Sequence, residues 1–145
     1  MPADTHPNSA PPATSGECKA MVLRPDKLPW IMPAAPTVEL VTRRLGSKQM
    51  LNGITIIKPK SSIPLHYHDC EESVIVLQGS ARFELAGEQH MVGMRDTIWI
   101  PAGTPHRAFN ESDREDLAVF WTYPSVSATR TLCATGETIQ ICPPG

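Results

Sequence analysis

The sequence predicts an all-β fold, a sandwich or barrel, on three observations. Between about residue 38 and residue 123, β-prone runs are short and each is closed by glycine or proline. No stretch shows the 3.6-residue periodicity of a long amphipathic helix. A chain of 145 residues, 41% hydrophobic and 19% charged, holds enough apolar material for one packed core and is too short for two.

Taken in order, residues 1–17 mix proline with Ser, Thr, Ala and Asn, too little apolar surface to offset the entropy of ordering, and are expected to be a disordered arm. Over residues 18–37, Pro25, Pro29, Pro33 and Pro36 recur around Leu28, Trp30, Ile31 and Met32, which forbids a regular helix and predicts an extended strap lying on the domain. Residues 38–124 then carry the strands: Val38 to Arg44, Met50 to Lys58, Ile63 to His68, Ser73 to Leu77, Ala81 to Ala86, Gln89 to Val92, Thr97 to Ile100, His106 to Asn110 and Leu117 to Tyr123. In Ala81–Leu85 the apolar residues alternate with Arg82 and Glu84, and Gly87 turns the strand into a hairpin. Val74–Leu77 and Leu117–Trp121 are apolar on both faces and should be covered on both. The tail, 125–145, shows no chemical motif and is expected to cover the barrel or cross to a partner.

Charge narrows the function. Thirteen Lys and Arg against fifteen Asp and Glu give a net charge of −2, without the basic excess that binds nucleic acid or anionic lipid. The longest aliphatic run, Val74–Leu77, is far short of the ~20 residues that span a bilayer. The first eighteen residues have no Lys, no Arg and no apolar stretch, so a cytoplasmic protein is expected. Cys18, Cys70, Cys133 and Cys142 form no Cys-x-x-Cys pair and are expected to be mostly reduced thiols, with Cys133 and Cys142, nine apart in the tail, as the one pair that could approach each other.

The chemistry concentrates in three histidines and a glutamate. In an extended strand, residues i and i+2 share a face, so His66 and His68 present two imidazoles to one volume. Glu72 opens the next strand with the parity of Val74 and Val76 and returns a carboxylate toward that volume. His106, after the rigid turn Pro101–Pro105, is the natural fourth group. Left unpaired, such groups would crowd a strand-rich core, so the set His66, His68, Glu72 and His106 is read as a metal site. Three imidazoles and one carboxylate suit one divalent Fe, Mn, Ni, Co, Cu or Zn per chain better than Ca or Mg. His6 and His90 are read as ordinary histidines.

These residues carry a resemblance. His66-x-His68-x3-Glu72-x6-Gly79 resembles the first cupin motif, and Pro101-x-Gly103-x2-His106-x3-Asn110 the second. Two glycines usual in that family are replaced here, by Lys60 and by Arg95. The resemblance implies a small antiparallel jelly-roll β-barrel, lined by His66, His68, Glu72 and His106 around one metal, and a homodimer.

Around this set, Cys70 is read as a small turn residue, Tyr67 as pointing away from the ligand face, and Glu71 as the residue a one-place register slip would exchange with Glu72. Trp99, Phe109, Phe120 and Trp121 are candidates to line a pocket, though strand aromatics are more often core. Arg82, Arg95 and Arg107 are candidate carboxylate clamps, against the commoner reading of solvated charges. The leading function is a metal-dependent enzyme of dioxygenase type acting on a small organic molecule, with Glu72 as ligand and proton acceptor. The alternatives are a metal-dependent isomerase, cyclase or lyase, and a non-catalytic barrel that binds a small ligand.

Overall fold

The computed structural model describes residues 19–32 and 34–144; the arm expected over 1–17 lies outside the described residues. The strap contains one 3-10 turn, Pro25–Lys27, opened by a proline whose missing N–H is no loss at that position. Pro25 O then accepts the Trp30 indole N–H at 3.0 Å, and Ile31 makes an isolated bridge to Thr37 that ties the strap to the first strand.

Among the described residues eleven strands follow: β1 (Thr37–Glu39), β2 (Leu51–Ile57), β3 (His66–His68), β4 (Glu72–Gln78), β5 (Ala81–Leu85), β6 (Glu88–Val92), β7 (Thr97–Ile100), β8 (His106–Phe109), β9 (Leu117–Tyr123), β10 (Thr129–Leu132) and β11 (Thr138–Gln140). All pairings are antiparallel, in one sheet ordered β1-β2-β9-β4-β7 and a second ordered β11-β10-β3-β8-β5-β6. This is the two-layered jelly roll that the sequence motifs implied. Leu51, Ile57, Val76, Ile100 and Leu117 are fully enclosed between the layers.

Three elements differ from expectation. The strand expected over Val38–Arg44 ends at Glu39; beyond it Asn52 Oδ1 accepts Val41 N–H, and the chain turns with the Thr42 carbonyl taking the N–H groups of Leu45 and Ser47. The strand expected from Ile63 begins at His66, because Pro64 has no donor for the ladder. The tail does more than cover the barrel: β10 pairs with β3 and β11 with β10, so the second sheet is built partly from residues after Pro124. The outer face of the first sheet is also less covered than the sequence suggested. Val74 and Val76 are buried, whereas Leu77 remains 45% exposed.

The β5–β6 hairpin turns on Ala86 (φ 48°) and Gly87 (φ 87°), the two positive φ values that its right-handed twist demands. Gly79 has φ 79°, and a Cβ there would stand 2.6 Å from Asp116 O, so this motif position needs glycine on both counts. Among the described residues, Cys70, Cys133 and Cys142 are free thiols, and no helix is long and apolar enough to cross a membrane.

Candidate metal centre

His66 and His68 lie on β3 with the same parity, and both side chains are buried. His106 pairs directly with His66 across β3–β8, held there by the turn in which Gly103 N–H donates to His68 O at 2.8 Å. The imidazole centroids are 4.2 to 5.0 Å apart. One nitrogen from each of the three rings lies within 4.8 Å of the other two, a spacing that one ion can bridge. Glu72 enters from the opposite sheet, its Oε1 at 3.1 Å from His106 Nε2 and 3.2 Å from His68 Nε2. The structure thus brings all four predicted residues together.

The hydrogen bonds fix which nitrogens face inward. The Nδ1–H groups of His66, His68 and His106 donate to the carbonyls of Pro64 (2.7 Å), Thr129 (3.0 Å) and Thr104 (2.8 Å). A carbonyl only accepts, so each neutral ring is left with a bare Nε2 lone pair at the centre. Two of those lone pairs face the Glu72 carboxylate, acceptor against acceptor. Such an array is satisfied by a proton on a ring or by a cation between the rings. Burial, then the neighbouring His106, lowers His66 to about 4, which disfavours protonating that ring. Burial alone would raise Glu72; the hydrogen bonds and charge contacts of His106 and His68, which need a positive charge between the rings and the carboxylate, outweigh it and hold the carboxyl at about 2. Three neutral nitrogen donors beside a fixed anion fit a divalent transition metal.

Around this array, Tyr123 places its hydroxyl 3.3 Å from His68 Nε2, and burial pushes that phenol well above its ordinary range. A cavity of about 770 Å³ opens from Glu72, His66 and His106 and is walled by Ile57, Phe83, Val119 and Trp121. The Trp121 indole N–H donates to Thr55 Oγ1 at 2.9 Å, which sets the angle of that wall.

Of the other candidates, Trp121 alone among the four aromatics lines the cavity. Trp99 is 63% exposed and donates to Glu71 Oε1, which also puts Glu71 on the outside and Glu72 within. Phe109 lies under the guanidinium groups of Arg82 and Arg107. Arg82 pairs with Glu111 and Arg107 stands 3.3 Å from Glu84, so both are engaged by carboxylates of the chain itself. Burial and Asp69 push the Cys70 thiol up to about 11, consistent with a packed turn residue. Sequence reasoning missed Tyr123 and Arg130. The alternation Leu117, Val119, Trp121, Tyr123 could have signalled the first; Arg130 belongs to a tail in which no strand was expected.

A family model for the cupin domain matches residues 53–123. This chain is a small cupin-domain protein. The cupin chain is 31% identical over 83 residues to auxin-binding protein 4 of Zea mays, and 38% identical over 60 residues to quercetin 2,3-dioxygenase of Bacillus subtilis. Those matches take in 51% and 41% of this chain, and only 41% and 18% of the two relatives. Its fold also superposes on the polyketide cyclase RemF of Streptomyces resistomycificus, with a TM-score of 0.68 at 17% identity, covering 87% of this chain and 88% of that one. The cupin motif glycines replaced by Lys60 and Arg95 have kept their backbone: these residues adopt φ 62° and 74°, the left-handed region glycine would occupy.

Proposed function

We propose that this cupin is a mononuclear metal-dependent enzyme acting on a small organic molecule, with one divalent transition metal held by His66, His68, His106 and Glu72. What supports it most is the single observation that three imidazoles commit their Nδ1–H groups to backbone carbonyls and converge their Nε2 lone pairs beside a buried carboxylate. When bound, the metal would supply Lewis-acid polarisation or redox chemistry with dioxygen. The chain's own residues do the rest. Trp121, Phe83 and Val119 exclude water and hold the apolar part of the molecule. Glu72 accepts a proton at Oε1, and the Tyr123 hydroxyl donates toward an oxygen lying beside His68.

The first assignment is an oxygenase, in keeping with the local likeness to quercetin 2,3-dioxygenase. A second reading, cyclisation or isomerisation without oxygen, is favoured by the fold match to a polyketide cyclase over most of both chains. We also propose a homodimer, to be checked by light scattering.

The test is metal content by elemental mass spectrometry on untagged protein, beside His66→Ala and His106→Ala. About one metal per chain, lost in both variants, is expected. Iron or copper with oxygen uptake selects the oxygenase; zinc, nickel or manganese without uptake selects the second reading. Metal that is substoichiometric, cannot be restored and survives both substitutions overturns the enzyme and leaves a metal-free binding barrel.

A further inference from the structure

Charges that line the cavity are matched by partners, with one exception. Glu39 is paired with Arg44, Lys58 with Asp116 at 3.6 Å, Glu72 with His68 and His106, and Arg107 with Glu84. Arg130 also lines the cavity, and its Nε, like that of Arg107, is buried without a hydrogen-bond acceptor; Arg107 has the Glu84 carboxylate 3.3 Å away, whereas among the described residues no hydrogen bond or carboxylate engages the Arg130 guanidinium.

Its position is set by the fold. Arg130 pairs with His68 across β10–β3 and with Ile139 across β10–β11, so it shares the inward face with the imidazole array. Directly paired residues in antiparallel strands have Cβ atoms about 5 Å apart, so the arginine stem starts beside a histidine of the metal centre. Arg130 is half-buried, and a guanidinium whose Nε is shielded from water with no acceptor gains when an acceptor arrives. A planar fork of N–H donors is best satisfied by a carboxylate, bound bidentately.

We propose that Arg130 is the specificity-determining residue of this cavity, and that the molecule it selects is an organic carboxylate with an apolar body. The carboxylate lies on the guanidinium fork, and the body lies against Ile57, Val119 and Trp121, beside the imidazole array. The proposal rests on the metal-enzyme reading for what happens next, but the recognition it describes belongs to this chain's own residues.

The test uses the full-length chain and a matched pair of probes, 2-naphthoate and its neutral analogue 2-naphthamide, followed by tryptophan fluorescence and by calorimetry. Titrations are made on chelator-treated protein and repeated with metal restored, for wild type, Arg130→Gln and Arg130→Lys. Wild type is expected to prefer the carboxylate by about tenfold or more in the metal-free protein, as a charge-assisted pair allows. Arg130→Gln should abolish that preference while binding the amide as before, which shows the cavity intact, and Arg130→Lys should restore part of it. Carboxylate binding unchanged by Arg130→Gln overturns the proposal, as does failure of wild type to bind naphthoate at millimolar concentration. An Arg130-dependent preference in a protein that carries no metal as purified and cannot be loaded with any would sink the metal reading alone; one metal per chain with an Arg130-independent preference would sink this proposal alone.

Discussion

Trp121 lies so close over Gly53 that a Cβ built on the glycine would stand 2.6 Å from its Cζ2 and 2.5 Å from Val38 O. The indole wall of the cavity therefore rests on bare backbone. Gly53→Ala should tilt Trp121, weaken its hydrogen bond to Thr55 and destabilise the fold by about 1–3 kcal/mol, the range for overpacking a well-filled interior. Denaturant melts followed by tryptophan fluorescence check this; an unchanged midpoint and spectrum would show that the wall can move freely.

Acid should weaken the metal-free protein in two stages. His66 titrates near 4 when folded against 6.5 ordinarily, so between those values only the unfolded chain takes the proton and stability falls as pH drops through that window. Glu72, near 2 against 4.5, repeats this lower down: its contribution is present above 4.5 and is lost toward 2. Each stage is worth on the order of 3 kcal/mol. Thermal melts of chelated protein from pH 8 to 3 should decline from about pH 6.5, with the lower stage missing in Glu72→Gln.

Lys60 and Arg95 should each be improvable. A side chain in the left-handed region costs about 1–2 kcal/mol, while the extra freedom glycine brings to the unfolded chain costs about 0.5–1 kcal/mol. Lys60→Gly and Arg95→Gly should therefore stabilise by about 0.5–1 kcal/mol apiece and leave metal content unchanged. Lower melting temperatures in both would mean that their side chains contribute more than their backbone loses.

Ending the chain at Pro124 should affect the site as well as the fold. The truncation removes β10, the Thr129 carbonyl that accepts from His68 Nδ1, and Arg130. Losing such an orienting partner weakens metal binding by about 10- to 100-fold, so truncated protein should melt lower and exchange its metal with a competing chelator far more readily. Unchanged melting and unchanged metal retention would show the tail to be an ornament.

The core of the site was legible because its signals are local. His66-x-His68 declares two side chains on one face of a strand, and the parity of Glu72 with Val74 and Val76 declares a third; both follow from the period of two. Asn110 could be recognised in its motif, yet its task could not be read. It is buried, donates Nδ2–H to Ile57 O (2.9 Å) and Glu115 O (2.8 Å), and accepts Ser112 N–H at Oδ1, a closure between segments far apart in sequence. Arg130 was hidden for the same reason. Only the pairing of β10 with β3 turns an arginine of an unremarkable tail into a neighbour of His68. Trp99 failed in the other direction, since composition alone does not say which face of a sheet an aromatic will take.

The three imidazoles are aimed by the carbonyls of Pro64, Thr104 and Thr129, and a carbonyl is present whatever amino acid occupies the position. No side-chain substitution at those places deletes an orienting partner, so the geometry of the array is insulated from changes in the walls around it. Ile57 and Val119 can be exchanged to admit a new guest without touching the carbonyls that aim the centre, whereas Phe83 stacks on the His106 ring and Arg130 stands across from His68. For an engineer, this barrel offers two independent dials, one for what enters and one for what happens there.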